Sequence, residues 1–528
     1  MDVADVAALG LVPMPSHIEL TGELFWLDET TGLDLDPGTE EVGELLREYL
    51  GEAGFPLTGK GERRIQLRLD PLPQTGVAEA AGRQAYHLDA RLEAYRLDVG
   101  EDAVTITASA VDGLRHGVQT LRQLLGDDRG AAGIPGVRIH DSPRLPWRGS
   151  LLDVGRWYQP VDYLYRYVES LAAHKLNRLH LHLTEDQGWR LEIRRYPELT
   201  RVGAWRSESP AGHADQARGD GRPHGGFYTQ QELRDLVEFA RRRGVVVVPE
   251  IDLPGHVTAA VAAYPALGNA TQPIPVSTRW GIHTSVLNVE PATVAFVDDV
   301  LSEVLEVFPS PWIHIGGDEC PTTEWESSPR VQAWLAERGL AAGGFGERGE
   351  HGASAVQDWY SQHLVAFLTE RGRVPIVWDE AATEALPQHV LVMAWRDEQH
   401  GLDAAARGHQ VIMTPQQRSY FDWYQSQAPD EPLAIGGLTT LADVYDYDVR
   451  AGAEDESVRD RIIGSQGQLW GEYLPSPERV DYMAFPRLCA LAERAWGAMT
   501  GPATERAAAD FQHRLAVHRP SGSDSPLG

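Results

Sequence analysis

The sequence predicts an α/β protein in which a (β/α)8 TIM barrel follows a small α+β domain. Two observations carry that fold. Beyond Trp147, eight short apolar runs alternate with helical stretches, and most of these runs end in acids interleaved with aromatic residues. Ahead of Trp147 the texture differs: short runs of alternating polarity are interspersed with helical patterns.

Residues 1–143 read as the α+β unit. Arg64–Leu69 and Ala103–Ala108 alternate polar and apolar residues, as half-buried strands do. Glu40–Leu50 and Asp112–Leu125 are helical, the second with Leu114, Val118, Leu121 and Leu125 on one face. Gly130–Pro146, with its glycines and prolines, reads as the junction to a barrel over residues 144–500. The barrel strands are expected at Gly149–Val154, Arg178–Leu183, Val245–Ile251, Trp312–Ile315, Val374–Trp378, Val390–Trp395, Gln410–Met413 and Ser465–Trp470. Tyr163–His174, Glu232–Arg243, Val294–Val307 and Tyr360–Arg371 supply helices between them. Thr229, with Glu232 three residues on, has capping-box spacing at the start of the second. An open doubly wound sheet is the competing fold, but no Gly-x-Gly-x-x-Gly turn follows the first strand. No internal repeat is evident beyond the strand–helix alternation. Residues 501–528 read as a C-terminal helix and tail, with Pro520–Gly528 frayed.

Bulk properties narrow the function. The 528 residues are 42% hydrophobic and 23% charged, a globular composition. A net charge of −30 repels phosphate backbones and anionic lipid, which argues against nucleic acid or a membrane as partner. No apolar run approaches the roughly 18–20 residues that span a bilayer. The first residues, Met-Asp-Val-Ala-Asp-Val, carry acids where a secretory signal has Lys or Arg, and Cys320 and Cys489 form no disulfide framework. A cytoplasmic location is expected unless a signal has been removed, with the chain a monomer or homodimer.

The chemistry collects at the ends of the apolar runs. The string His314-Ile-Gly-Gly-Asp318-Glu319-Cys-Pro321 places two acids after a buried strand and two glycines. The bland alternative is a Gly-Gly turn followed by exposed acids. Other runs lead into Glu185-Asp186, Glu250-Ile-Asp252 with His256, Trp378-Asp379-Glu380, Tyr420-Phe-Asp422 and Trp470-Gly-Glu472. Barrel active sites form at these strand ends. Tryptophan faces paired with carboxylates suit a sugar, whose C–H face stacks while its hydroxyls donate. Trp359, Trp378, Trp395 and Trp470 are each also plausible packing residues. His180 and His182 share one face of a strand and, with His256 and Asp318, compose a possible metal set; buried barrel histidines are more often hydrogen-bonded than ligated. Cys320 reads as filler, and Arg241-Arg242-Arg243 as a solvated helix end.

Taken together these strings resemble glycoside hydrolase family 20, the β-N-acetylhexosaminidases. The resemblance rests on Trp147-Arg148-Gly149 with Leu152-Asp153, on His180–Arg190, Glu250–His256, His314–Glu319, Trp378-Asp379, Tyr420-Phe-Asp422 and Trp470-Gly-Glu472-Tyr473. Val12-Pro13-Met14-Pro15 and Gly113–Val118 extend it into the N-terminal domain.

The resemblance implies an exo-acting, retaining enzyme that removes terminal β-linked N-acetylglucosamine, and N-acetylgalactosamine as well, from small oligosaccharides without a metal or cofactor. It implies that Glu319 is the general acid and base. Asp318 would orient the substrate's acetamido group, which itself attacks the anomeric carbon. His256 and Glu185 would support Glu319, with Asp186 the alternative supporting acid in a Glu185-Asp186 pair where relatives read Asp-Asp. Tyr420 would bond the acetamido carbonyl. Trp359, Trp378, Trp395 and Trp470 would wall the sugar pocket, while Arg148, Asp186, Asp422 and Glu472 would contact the sugar. The rival readings are a metal-dependent barrel hydrolase and a catalytically dead sugar-binding barrel.

Overall fold

Eight parallel strands close on themselves into a barrel. They are β7 (Trp147–Asp153), β8 (Arg178–His182), β9 (Val246–Glu250), β10 (Trp312–His314), β11 (Val374–Trp378), β12 (Leu391–Ala394), β13 (Val411–Met413) and β14 (Ile462–Leu469), with β14 pairing β7 to complete the ring. The computed structural model describes residues 6–57, 61–70, 88–125, 132–214, 218–340 and 352–518. Each strand falls on one of the eight expected apolar runs, because strands covered on both faces need apolar residues throughout. Most strand ends shift by a single residue, and two starts move further: the first strand begins at Trp147 rather than Gly149, and the last at Ile462 rather than Ser465.

The outer ring includes α3 (Val161–Ala173), α4 (Gln230–Arg242), α5 (Pro291–Val307), α6 (Ser354–Glu370), α7 (Glu398–Ala406) and α8 (Arg487–Trp496). The capping box at α4 is formed in both directions between Thr229 and Glu232. Between β11 and β12 a single 3-10 turn, Asp379–Ala381, replaces the usual helix and keeps two acids at the barrel mouth.

The N-terminal domain is a six-stranded mixed sheet ordered β1-β6-β4-β5-β3-β2. Its strands are β1 (His17–Leu27), β2 (Gly32–Leu35), β3 (Arg64–Leu69), β4 (Tyr95–Val99), β5 (Ala103–Ala108) and β6 (Ala132–Asp141). The expected alternation holds: Ile65, Leu67, Val104 and Ile106 are fully buried in a core shared with Leu114, Val118 and Leu121 of α2 (Val111–Leu125). With α1 (Glu40–Glu52), α2 reaches the barrel: Tyr49 donates to Glu169 of α3 at 3.1 Å, and Arg122 pairs with the same carboxylate at 3.2 Å. Two buried polar joints lock the domains together. Arg148 pairs with Glu93, and Lys175 Nζ lies 3.0 Å from Asp141 and 2.9 Å from Tyr95 Oη. After α8 the chain ends its described part in α9 (Glu505–Val517); Pro520–Gly528 lies outside the described residues. Among the described residues, no helix is long and apolar enough to cross a membrane.

Candidate active site

The loop after β10 is built around a conformation few side chains tolerate. Gly316 and Gly317 sit at φ +66° and +94°, and Glu319 itself is left-handed at φ +43°. A Cβ on Gly316 would lie 1.7 Å from Asp252 Oδ1, so the first glycine is required by contact as well as by backbone angle. Three neighbours pin the loop. Gly317 N–H donates to Asp252 Oδ1 at 3.0 Å, Gln357 donates to the Gly317 carbonyl at 2.8 Å, and Glu319 N–H donates to Glu380 Oε2 at 3.2 Å. A non-glycine residue held in this region is strained, and strain of this kind gathers at functional sites.

His256, the other left-handed residue at this mouth (φ +51°), faces both acids. Its Nε2 lies 3.8 Å from Glu319 Oε2 and 3.9 Å from Asp318 Oδ2. Its Nδ1 is ion-paired with Glu185 Oε1 at 2.7 Å. Asp186 stands farther off, at 3.4 Å, and its other oxygen is taken by the Thr258 N–H and hydroxyl. Glu185, rather than Asp186, is therefore the nearer acid to His256 Nδ1. Glu185 is anchored in turn by Arg156 at 2.8 Å, and Arg156 reaches Asp153 at 3.0 Å and Glu472 at 4.0 Å.

These neighbours set the charges. Burial pushes the Glu319 carboxyl up to about 7, and the Asp318 carboxylate beside it adds to the rise. Burial works against charge on His256, but the Glu185 and Asp186 carboxylates outweigh it and hold the imidazole protonated. Burial likewise opposes charge on Glu185, yet Arg156 and His256 keep its carboxyl well below the usual range. Asp422 and Glu472 are both raised, chiefly by burial.

The site opens into a cavity of about 340 Å³. Trp378, Trp395, Trp423 and Trp470 wall it, Tyr420 and Gln416 face it, and Arg156, Asp318, Glu319, Asp422 and Glu472 supply its charge. The walls are fixed from behind. Trp378 Nε1 donates to Glu250 at 2.8 Å, and Asp379, clamped by Arg396 at 2.9 Å, accepts from the Trp395 N–H at 3.4 Å. Tyr420 lies nearly parallel to Trp395, with ring centres 6.2 Å apart.

Three expected contacts are not brought here. Arg148 is the second residue of β7 and points into the domain junction at the other end of the barrel, fully buried against Glu93 and the Lys175 carbonyl. The cation at the cavity is Arg156, three residues beyond the end of β7. Trp359 lies on α6, edge-on to Trp334 at 5.0 Å and stacked on His363, outside the cavity lining. Asp186 is occupied with Thr258 and does not line the cavity. Sequence reasoning named Asp252 and Glu380 among the strand-end acids but gave them no role, and it missed Arg156, Gln416 and Trp423, which lie outside the strands and carry no signal of their own.

Among the described residues four clusters could in principle hold a cation, His180–Glu250–His314 and the three overlapping sets His182–Glu185–Asp252, Glu185–Asp186–His256 and Asp252–His256–Asp318. Their donors are largely engaged with one another. Glu250 has His182 at 2.5 Å, His180 at 3.0 Å and the Trp378 indole, and Glu185 has Arg156 and His256. Cys320 is raised by burial and is no thiolate.

Comparison with known proteins agrees with this architecture. Residues 145–499 match the model of the glycosyl hydrolase family 20 catalytic domain, and residues 8–142 match domain 2 of the same family. A β-hexosaminidase of Porphyromonas gingivalis is 34% identical over 516 residues, which cover 96% of this chain but only 62% of that protein's length. A β-N-acetylhexosaminidase of Cellulomonas fimi is 34% identical over 525 residues, 97% of this chain and 94% of its own. The crystal structure of a Vibrio harveyi family 20 exo-β-N-acetylglucosaminidase in complex with N-acetylglucosamine superposes with a TM-score of 0.82 at 32% identity, covering 97% of this chain and 76% of that one. With both of its domains matched in order and the barrel mouth built as described, the chain belongs to glycosyl hydrolase family 20.

Proposed function

We propose that the chain is an exo-acting, retaining β-N-acetylhexosaminidase that uses the substrate's own acetamido group as nucleophile. The observation that carries this reading is the placement of Asp318 and Glu319 against one imidazole nitrogen, 3.9 and 3.8 Å away. Both acids therefore stand on the same side of the cavity. A two-carboxylate glycosidase instead sets its acids across the scissile bond, about 5–5.5 Å or 6.5–9.5 Å apart.

Glu319, protonated near neutrality, donates its proton to the glycosidic oxygen as the C1–O bond breaks. The acetamido carbonyl oxygen closes onto C1 and forms an oxazolinium ion, with Asp318 accepting from the acetamido N–H and balancing the positive charge. The Tyr420 hydroxyl donates to the carbonyl oxygen and orients it. Water then attacks C1 and gives a proton to the Glu319 carboxylate, which restores the acid and reopens the ring with retained configuration. The tethered nucleophile removes a bimolecular encounter, an advantage that reaches effective molarities of about 10⁵ M or more. His256, kept charged by Glu185, helps Glu319 carry its negative charge after the first proton transfer. Trp378, Trp395 and Trp470 enclose the acetamido methyl and the sugar face, while Arg156, Asp422 and Glu472 bind the hydroxyls of the terminal sugar. Both N-acetylglucosamine and N-acetylgalactosamine are substrates in this reading.

The test is a panel of chromogenic β-glucoside, β-N-acetylglucosaminide and β-N-acetylgalactosaminide. Cleavage confined to the two acetamido sugars is expected. Efficient cleavage of the plain glucoside would overturn substrate assistance.

A further inference from the structure

At the far end of the barrel from Glu319, where the strands begin and the N-terminal domain abuts, lies a second cavity of about 700 Å³. Arg115, Arg178, Arg241 and Arg373 line it beside the acids Asp89, Glu93 and Asp112, with Leu92 and Pro311 among its apolar walls. Arg178, the first residue of β8, is only 6% exposed, and its guanidinium sits 5.2 and 4.6 Å from the ring centres of Trp147 and Trp312. Nη1 donates to the Asn177 carbonyl at 2.8 Å, Nε has no hydrogen-bond partner, and among the described residues no carboxylate pairs with the group.

Other buried arginines that lack a carboxylate, among the described residues, make more hydrogen bonds, although Arg206 also keeps Nη2 without a partner. Arg190 donates to four backbone carbonyls, Arg487 to four, and Arg206 to two carbonyls and the Ser209 hydroxyl. Arg178 has one. The acids beside it are already committed: Glu93 to Arg148 and His116, and Asp112 to Arg115 at 2.5 Å. A guanidinium has five N–H donors, and leaving a buried charge unpaired is costly.

We propose that this basal cavity binds a small oxyanion, a phosphate or carboxylate group carried on a compact metabolite, with Arg178 as the buried anchor; Arg241, paired with Glu41 and Glu238, and Arg373, bonded to the Pro309 and Ser310 carbonyls, add positive charge at the rim. The planar fork of an arginine matches both oxyanions in two-point geometry. The tryptophan rings already hold the guanidinium in place, so little of its freedom is lost on binding. The volume is about twice that of the active-site cavity, so it accommodates the body that bears the anion as well as the anion itself.

Calorimetric titration of the full chain at low ionic strength, with inorganic phosphate, sulfate and acetate as separate probes, tests the site. Saturable binding of one anion per chain is expected, weakened at least tenfold by Arg178→Met. Stronger binding of phosphate and sulfate than of acetate assigns a phosphate-type ligand, and the reverse assigns a carboxylate. Arg241→Gln replaces a side chain that is 42% exposed, so it serves if Arg178→Met fails to fold, and it is expected to weaken binding several-fold. Saturating N-acetylglucosamine should leave the anion affinity unchanged. No saturable binding of any probe, binding indifferent to the variants, or competition by N-acetylglucosamine overturns the proposal.

Discussion

At the scale of single residues, the proposed mechanism turns on the protonation of Glu319. Its carboxyl is raised to about 7, so the active, protonated acid is depleted as pH rises through that value. The rate of glycosidic cleavage should fall along the same limb. Glu319→Gln should slow natural disaccharides by a factor on the order of 10²–10⁴, the range of general-acid contributions, while aryl glycosides with good leaving groups lose much less. Equal losses on both substrates would remove the general-acid role. The two arginines make a paired test. Arg156→Met removes a charged contact at the cavity and should cut kcat/KM about 10–100-fold, the equivalent of one charge-assisted hydrogen bond. Arg148→Met should leave kcat/KM of the folded protein unchanged and lower the melting temperature, because its partners lie in the domain junction. The reverse pattern would return Arg148 to the sugar. The acids, His256 and Tyr420 were legible from the sequence because each follows an apolar run. Arg148 was misplaced because its role came from the resemblance alone: the expected strand start at Gly149 already set it at the end opposite the acids, and the observed start at Trp147 leaves it there. Trp359 was misplaced because a tryptophan's type does not say whether it faces a cavity or a neighbouring helix.

At the scale of elements, the loop after β10 is where local sequence and tertiary structure agree most closely. The two glycines are readable as punctuation, but their reason lies across the barrel, in the Asp252 carboxylate that occupies the space a Cβ would take. Asp252 comes from the end of β9, and no spacing within Gly316–Glu319 points to it. Gly316→Ala should therefore cost activity far more than folding: a circular dichroism spectrum close to the parent's with kcat reduced at least tenfold. Normal kcat would show that the loop tolerates the shift. Glu380 has a comparable hidden task. Its Oε2 accepts the backbone N–H of Glu319, and its charge lies among the causes that raise the Glu319 carboxyl. Glu380→Gln keeps an acceptor and removes the charge, so the alkaline limb of the pH–rate profile should move to lower pH with modest loss of kcat. Glu380→Ala removes both and should lower kcat further. An unmoved limb in Glu380→Gln would exclude an electrostatic link between the two carboxyls.

At the scale of the whole molecule, the alternating strand and helix texture made the barrel readable, because strands buried on both faces must be apolar throughout. What the sequence leaves unread is how the two domains grip each other, since Glu93 lies far from Arg148 in the chain and nothing in the Trp147-Arg148-Gly149 string points to it. The joint is charged: Arg148 is fully buried, and Glu93, its side chain 12% exposed, lines the basal cavity, with His116 at 2.8 Å and Asn177 also bonded to the carboxylate. Burial opposes charge on Glu93, but the Arg148 guanidinium prevails and holds its carboxyl well below the ordinary value. A depressed carboxyl stabilises the folded state fully above its unfolded pKa, about 4.3 for glutamate, and loses that contribution as pH falls below it. Glu93→Gln leaves Arg148 buried without its partner, which costs about 3–5 kcal/mol for a broken buried pair. Its melting temperature should lie well below the parent's at pH 7, and the gap should narrow as the pH is taken below about 4, where the unfolded parent takes up a proton that the folded carboxylate still excludes. A gap that stays constant across that range would mean that the junction is held by packing, with the ion pair along for the fit.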